Sequence, residues 1–436
     1  MRARSTLVVA VIGTTQTLAW ASSYYLPAIL AKPIAAGLGV SKALFFGFFS
    51  ASLLLQAALG PMIGRAIDRH GGRDVLVLSN LVLAGGLGWL ASAQGPAGLA
   101  GAWILLGIGM ALGLYDSAFA TLTALYGLEA RAPITGITLI AGFASTLGWP
   151  LSALLNQHFG WRGACLGWAA VNLLVCLPMN RLLIPRPAGS VRSAAAQEGE
   201  GPAPSNGMAV LAFVFGAVGF VTGAMAAHLP RLLELAGAST GAAIAAASLM
   251  GPAQVAARLF EFGVLKRLHP LVSTRLALLM HPLAAAFLGA LGGPAASVFA
   301  LLHGAGNGLL TISRGTLPLA LFGPAGYGLR TGIIVAPARV TTAAAPLLFG
   351  LLLDAMGTGA LVASAGLSLA ALAALALLRA QPPPHGLNRS SRPSAAPRSR
   401  PARASRARAR PSPPPPGCRH GRRPCRSRPG CACRNC

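Results

Sequence analysis

Twelve apolar stretches of membrane-spanning length follow one another along most of this 436-residue chain. A transmembrane helix needs about 20 apolar residues, since its backbone N–H and C=O groups must all bond within the segment where water is absent. The sequence therefore predicts an all-α membrane protein with twelve transmembrane helices. We place them at approximately 6–30, 43–64, 75–94, 97–126, 133–156, 161–184, 207–230, 238–262, 272–292, 294–322, 329–353 and 358–378.

Composition and charge support this class of protein. The chain is 54% hydrophobic and only 10% charged, whereas about 25% of residues are charged in soluble proteins. Of its 35 Lys and Arg residues, 14 lie between Arg389 and Arg434, and most others fall at alternate connections between the apolar stretches. Cytoplasmic loops are rich in Lys and Arg, so both termini are predicted to be cytoplasmic in a bacterial inner membrane, with no nucleic-acid partner.

The chain is predicted to contain two similar halves. A Pro-, Ala-, Gly- and Ser-rich linker at 185–206 separates residues 1–184 from residues 207–380, and a basic tail without a hydrophobic pattern occupies 381–436. Four identities recur 196 residues apart: Gly127, Thr135, Gly136 and Pro150 are answered by Gly323, Thr331, Gly332 and Pro346. Such a repeat predicts two pseudo-symmetric bundles of six helices with a solute site between them.

A charged, glycine-rich segment from Gly60 to Arg73 lies between the second and third stretches, and we expect it to form a tight loop. Its spacing resembles the signature loop of the major facilitator superfamily, in which Gly, Asp, Arg, Gly and Arg recur at fixed intervals. The matching residues are Gly64, Asp68, Arg69, Gly71 and Arg73, while Gly72 stands where that family usually has a further cation.

The resemblance covers residues 1–380 and implies a secondary transporter that works by alternating access, loosely like the monocarboxylate porters. The loop would then act as a gate latch, with contacts of Asp68 and Arg69 that exist in one state only. A weaker echo of the loop in the second half contains Arg258 and Glu261, which we expect to pair with each other near the cytoplasmic end.

Ionisable residues within the apolar stretches mark candidate substrate positions, because burying a charge there costs roughly 2.5 to 3.5 kcal/mol. Asp116 lies in the fourth stretch and is suited to carry a coupling proton or to pair with a cation. Arg339 lies about ten residues into the eleventh stretch, near the midplane, where a guanidinium can bind a carboxylate. Arg314 lies at the repeat-equivalent depth of Asp116, so these two side chains are predicted to pair across the halves.

Neutral polar side chains complete the candidate site. Gln16, Trp20 and Tyr24 recur every four residues in the first stretch and so share one helix face. His303 and Asn307 share a face of the tenth stretch by the same spacing. A histidine in such a place is more often a hydrogen-bonded core residue than a proton relay.

We expect the protein to move a small organic anion such as a carboxylate, driven by a proton or counter-substrate gradient. Efflux of drugs or xenobiotics is the alternative, and a membrane sensor or an intramembrane enzyme is a third possibility. No nucleotide-binding pattern, catalytic cluster or cofactor motif occurs, and the tail cysteines lack the spacing of a zinc site. The expected partners are the solute, protons and the lipid bilayer, with the protein a monomer.

Overall fold

The computed structural model describes residues 2–186 and 206–378, and these belong to one compact unit. All regular secondary structure within these ranges is helical. The predicted tail and nearly all of the predicted linker lie outside the described residues. We refer to the residues up to 186 as the N-half and to those from 206 as the C-half.

The described part of the N-half contains nine α-helices. Several of them are consecutive segments separated only by a short break. A π turn at Asn172–Cys176 joins the last two, and a positive-φ glycine, Gly160, kinks the eighth. The helices are α1 (Arg2–Ser22), α2 (Leu26–Leu38), α3 (Lys42–His70), α4 (Arg73–Ser92), α5 (Gly95–Gly113), α6 (Tyr115–Tyr126), α7 (Arg131–Ala141), α8 (Ala144–Val171) and α9 (Leu177–Leu183).

The described part of the C-half contains seven α-helices. They are α10 (Gly207–Leu235), α11 (Thr240–Ser248), α12 (Met250–Gly263), α13 (Pro270–Leu291), α14 (Ala296–Phe322), α15 (Tyr327–Met356) and α16 (Ala360–Ala376). The repeat seen in the sequence has a local counterpart, because Gly127 and Gly323 follow α6 and α14 with φ values of 56° and 72°. Both helices therefore end on a residue for which only glycine is unstrained.

Eight helical stretches among the described residues are long and apolar enough to cross a membrane. Two of them, Gly95–Leu183 with 89 residues and Tyr327–Ala376 with 50, are much longer than the roughly 20 residues of one crossing. The chain thus crosses the membrane many times, as predicted, while the count of twelve stays a prediction.

The expected tight loop from Gly60 to Arg73 is wrong for most of its length. Helix α3 continues to His70, and only Gly71 and Gly72 connect it to α4. The backbone N–H of Gly71 bonds to the Ile67 carbonyl oxygen, and its φ of 84° ends the helix. Gly64 stays helical because its role is close packing, which needs no turn.

The halves meet along helices that approach backbone to backbone. Helix α3 packs against α15, where a Cβ added at Gly64 would collide with the Gly328 carbonyl and one added at Gly332 would lie 2.7 Å from the Gly60 carbonyl oxygen. Helix α7 packs against α12 and α14, and Gly315 of α14 lies against the side chain of Ile134. These contacts bring the charged residues of both halves together.

Candidate substrate site

A break in the fourth predicted stretch positions the carboxylate of Asp116. Helix α5 ends at Gly113, Leu114 is extended with a ψ of −172°, and α6 starts at Tyr115. Asp116 therefore stands in the first turn of α6, where the unpaired backbone N–H groups favour a negative charge. The Gly113 carbonyl that the break frees accepts a hydrogen bond from Gln16 Nε2.

Asp116 binds two arginines of the C-half at once. Arg314 Nη2 donates to Asp116 Oδ2 at 2.8 Å, and Arg339 Nη2 donates to the same oxygen. Arg339 Nη1 also donates to the Gln56 carbonyl oxygen of α3 at 2.7 Å. The predicted contact between Asp116 and Arg314 is thus present, and Arg339 joins it from α15.

This cluster of one carboxylate and two guanidinium groups has spare hydrogen-bonding capacity. Asp116 Oδ1 and the Nε atoms of Arg314 and Arg339 are buried without a partner among the described residues. The Arg314 side chain is 28% exposed, more than those of Asp116 at 13% and Arg339 at 10%. With two positive charges against one negative charge, the cluster is suited to receive an anion, which would approach from the Arg314 side.

Aromatic side chains adjoin this cluster on the N-half side. Trp20 packs against Tyr24 and Tyr115, with ring centroids 5.1 and 4.9 Å apart, and Tyr115 precedes Asp116 in the chain. Tyr25 and Trp149 extend the group. We call Trp20, Tyr24, Tyr25 and Tyr115 the aromatic wall. Gln16, on the same face of α1, is buried and holds the helix break instead of lying open to a solute.

His303 and Asn307 lie elsewhere, inside the C-half. They line a cavity between α10, α13, α14 and α16 that has room for about one water molecule. His303 Nδ1 is 3.0 Å from His281 Nδ1, and His281 Nε2 is 3.0 Å from Ser364 Oγ. Asn307 Oδ1 accepts from Thr222 at 3.1 Å. The structure therefore separates these two residues from Asp116 and its arginines.

The predicted gating residues have distinct surroundings. Asp68 accepts hydrogen bonds from the backbone N–H groups of Gly328 and Leu329 at 2.8 and 2.9 Å, at the N-terminus of α15. Arg73 contacts the Asp74 carboxylate at 3.3 Å. Asp74 also pairs with two arginines from the end of the N-half, Arg181 and Arg186. Arg69 is exposed and bonds to none of the described side chains.

The expected pair of Arg258 with Glu261 is wrong. Glu261 Oε1 accepts from Arg131 Nη2 of α7 at 3.2 Å, while Arg258 Nη1 donates to the Thr138 carbonyl oxygen at 3.3 Å. Both charges therefore reach across to the N-half instead of meeting on their own helix. A carboxylate of the C-half thus contacts the start of α7, as Asp68 of the N-half contacts the start of α15.

Three residues at these contacts lie outside the set that the sequence analysis selects. They are Arg131 at the start of α7, and Tyr25 and Tyr115 of the aromatic wall. Arg131 could have been selected from the sequence. Glu261 corresponds to Asp68 in the repeat, so it is expected to contact the start of a helix in the opposite half.

No group of three or more potential metal ligands occurs among the described residues.

The fold and this paired arrangement define a polytopic membrane transporter. Residues 12–302 match the family model of the Major Facilitator Superfamily. The chain belongs to the Major Facilitator Superfamily and is a multi-pass integral membrane protein.

Solved transporters share the fold at low sequence identity. The human organic anion transporter MFSD10 superposes with a TM-score of 0.66 at 18% identity, covering 85% of this chain and 99% of that one. The proton:xylose symporter XylE superposes with a TM-score of 0.65 at 14% identity, covering 85% of this chain and 94% of that one. FucP in its outward conformation superposes with a TM-score of 0.64 at 13% identity, covering 86% of this chain and 99% of that one.

One curated relative matches a shorter segment. It is the multidrug resistance protein fnx1 of Schizosaccharomyces pombe, 32% identical over 117 residues. The match spans 26% of this chain and 22% of that protein's length.

Proposed function

We propose that the protein carries a small organic anion, such as a carboxylate, through the site around Asp116, Arg314 and Arg339. The observation behind this proposal is that one oxygen of Asp116 holds both arginines while their other donors are incompletely used. A substrate carboxylate offers the same ligand chemistry as Asp116. It would bind Arg314 first, since that side chain is the most exposed of the three.

We further propose that a proton on Asp116 accompanies the substrate. Protonation would remove the negative charge that now occupies the two arginines, so the site would change from a net charge of +1 to +2. The anion would then bind more tightly, and by linkage the bound anion would raise the affinity of Asp116 for the proton. This reciprocity favours proton-coupled symport of the anion.

Alternating access would use the contacts at the signature segment as its latch. Asp68 on the N-terminus of α15 and Glu261 on Arg131 would both hold this end closed. The described hydrogen bonds of Asp68, Arg131 and Arg258 between the halves support a state closed at this end. We propose that this end is cytoplasmic, in a bacterial inner membrane, and that the protein works as a monomer.

Efflux of drugs or xenobiotics is the second candidate. The local match to a protein named for multidrug resistance supports it, although that match covers 26% of this chain. In this case Asp116, Arg314 and Arg339 would hold the halves together, and the aromatic wall would bind apolar solutes without need of the charges.

Uptake by purified protein in liposomes separates the two candidates. We expect labelled carboxylates to accumulate with an inward proton gradient, and Arg314→Gln to lower uptake at least tenfold. Arg231→Gln is the control, because Arg231 pairs with the exposed Asp354 away from the site. Unchanged carboxylate uptake in Arg314→Gln, or transport of neutral and cationic dyes alone, would contradict anion transport.

A further inference from the structure

We infer that the transported anion has an aromatic ring, which packs against the aromatic wall while its carboxylate binds Arg314. This inference rests on the proposed function and specifies its substrate class. It follows from the position of the wall, from the exposure of its members and from the hydrogen-bonding groups that it leaves unused.

The wall lies beside the charged cluster. Tyr115 occupies the first helical position of α6, and Asp116, which holds Arg314, follows it directly. Trp20 of α1 packs on Tyr115 at 4.9 Å between ring centroids, and Tyr24 adds a ring one turn further along. The positive charge of Arg314 also interacts electrostatically with Tyr24, so an arginine donor and aromatic faces belong to one region of the molecule, as an aromatic acid requires.

The four rings are not sealed in the core. Trp20, Tyr24, Tyr25 and Tyr115 all retain exposed surface, in contrast to Trp103 and Phe119, which are fully buried behind them. Their ring planes meet at steep or tilted angles of 42° to 89°, so faces as well as edges are presented. Aromatic groups favour offset or edge-to-face contacts of this kind, which a planar ligand could extend.

The polar atoms of the wall lack hydrogen-bond partners among the described residues. The hydroxyl groups of Tyr24, Tyr25 and Tyr115 bond to none of the described residues, and Trp20 Nε1 is buried without an acceptor. A purely apolar ligand would leave these groups unpaired at a cost. A ring that carries a carboxylate, and acceptor substituents besides, would satisfy them.

Three small probes of similar size test the inference by competition and by direct binding to the purified full chain. They are benzoate, cyclohexanecarboxylate and benzamide, which differ only in aromaticity or charge. We expect benzoate to bind about two- to tenfold more tightly than cyclohexanecarboxylate, the range that one aromatic contact supplies. Benzamide should bind more weakly than benzoate because it lacks the negative charge.

Variants assign the preference to the wall. In Trp20→Leu the ratio between benzoate and cyclohexanecarboxylate should fall to about one, whereas Trp20→Phe should keep part of it. Trp89→Leu is the matched control, because Trp89 is half exposed on α4 and packs against Gly101, outside the wall. Its ratio should equal that of the unchanged protein. A melting curve of each variant verifies that it is folded.

The outcomes distinguish this inference from the function on which it rests. If both acids bound equally and both lost binding in Arg314→Gln, the preference for an aromatic substrate would be wrong and anion transport would stand. If benzamide bound as tightly as benzoate, the requirement for a negative charge would be wrong and the preference for an aromatic ring would stand. A preference that survives Trp20→Leu would contradict the role of the wall. If neither acid bound, the aromatic substrate would be wrong, and the liposome assay with other labelled carboxylates would then test anion transport by itself.

Discussion

At the scale of single residues, Asp116 is the centre of the candidate site. One carboxylate oxygen accepts hydrogen bonds from two arginines that reach it from different helices of the opposite half, α14 and α15, and leaves the cluster with a net charge of +1. Removing one partner of a buried ion pair leaves the other charge uncompensated, so any change at Asp116 alters the state of Arg314 and Arg339 together.

We therefore predict a specific result for Asp116→Asn. The substitution keeps the shape of the side chain but removes its charge and its titration. Anion affinity at neutral pH should rise about tenfold and should no longer increase as the pH falls, while accumulation driven by a proton gradient should be lost. Binding isotherms from pH 5 to 8 and proteoliposome uptake measure both effects.

The control for this variant is Asp354→Asn, which removes an exposed carboxylate that pairs with Arg231. Its affinity should keep the pH dependence of the unchanged protein. If Asp116→Asn also kept that dependence, the coupling proton would have to reside on another group.

At the scale of helices, close approach of α3 and α15 decides how the signature-segment end is held shut. Gly64 and Gly328 face each other so closely that neither has room for a methyl group. Asp68 then reaches the two free N–H groups at the start of α15, where the helix dipole strengthens the contact. The close approach of the glycines and the hydrogen bonds of Asp68 thus both hold α3 against the start of α15.

Gly64→Ala should separate these two helices. A Cβ at this position meets backbone atoms of Gly328, which cannot rotate away, and overpacking of this kind costs about 1 to 3 kcal/mol. We expect the population closed at this end to fall, as measured by the distance between spin labels attached on α4 and α13.

Gly47→Ala is the matched control on α3, because a Cβ there meets nothing within 4 Å. It should leave the distance distribution unchanged. An equal shift in both variants would mean that helix propensity, and not the contact with Gly328, causes the change.

A pH effect is expected where α12 connects to α13. His269 Nδ1 accepts a hydrogen bond from the Leu271 N–H at 3.2 Å and so caps α13. Partial burial, with the positive charges of Arg131 and Arg275, lowers the pKa of His269 below its ordinary value. The unfolded chain then takes up the proton first, so this contribution to stability is complete above about pH 6.5.

Stability should accordingly fall as the pH decreases from about 6.5 through the lowered pKa of His269. The melting temperature measured from pH 8 to 4.5 should decrease, and His269→Asn, which can cap the helix without titrating, should decrease less. Identical pH profiles for the two proteins would show that His269 does not contribute.

At the scale of the whole molecule, two latches of similar design connect the halves. Asp68 of the N-half contacts the start of α15, and Glu261 of the C-half contacts Arg131 at the start of α7. Asp68 lies near the end of α3, and Glu261 lies near the end of α12. The two halves therefore contribute one such contact each. A rocking motion of the halves would break both contacts together.

Asp68→Asn should shift the balance between the two states of the molecule. An amide can accept only one of the two hydrogen bonds and loses the interaction with the helix dipole, a loss of about 1 to 2 kcal/mol. We expect a five- to thirtyfold change in favour of the state open at this end. Labelling of a cysteine placed at Gln56 measures that opening.

Arg69→Gln is the comparison for this variant, because Arg69 is exposed and bonds to none of the described residues. It should change the labelling rate little. Equal effects of the two substitutions would indicate that the charge of the segment matters and that the contact with α15 does not.

The sequence by itself determined that the chain is a helical membrane protein, and it predicted two similar halves and selected Asp116, Arg314 and Arg339 as candidate site residues. These conclusions depend on local properties, because apolar length and the cost of a buried charge do not require knowledge of neighbours. The selection of Gly64 and Asp68 is also local, because it depends only on the spacing of residues within one segment.

The tertiary structure alone decided which partner each polar group takes. Glu261 binds Arg131 instead of Arg258, Arg339 joins Asp116, and His303 turns into the C-half. Periodicity limits which residues share a face, but the rotation of each helix follows from packing of all its neighbours. Contacts between segments more than a hundred residues apart in the chain therefore had to be seen in the folded molecule.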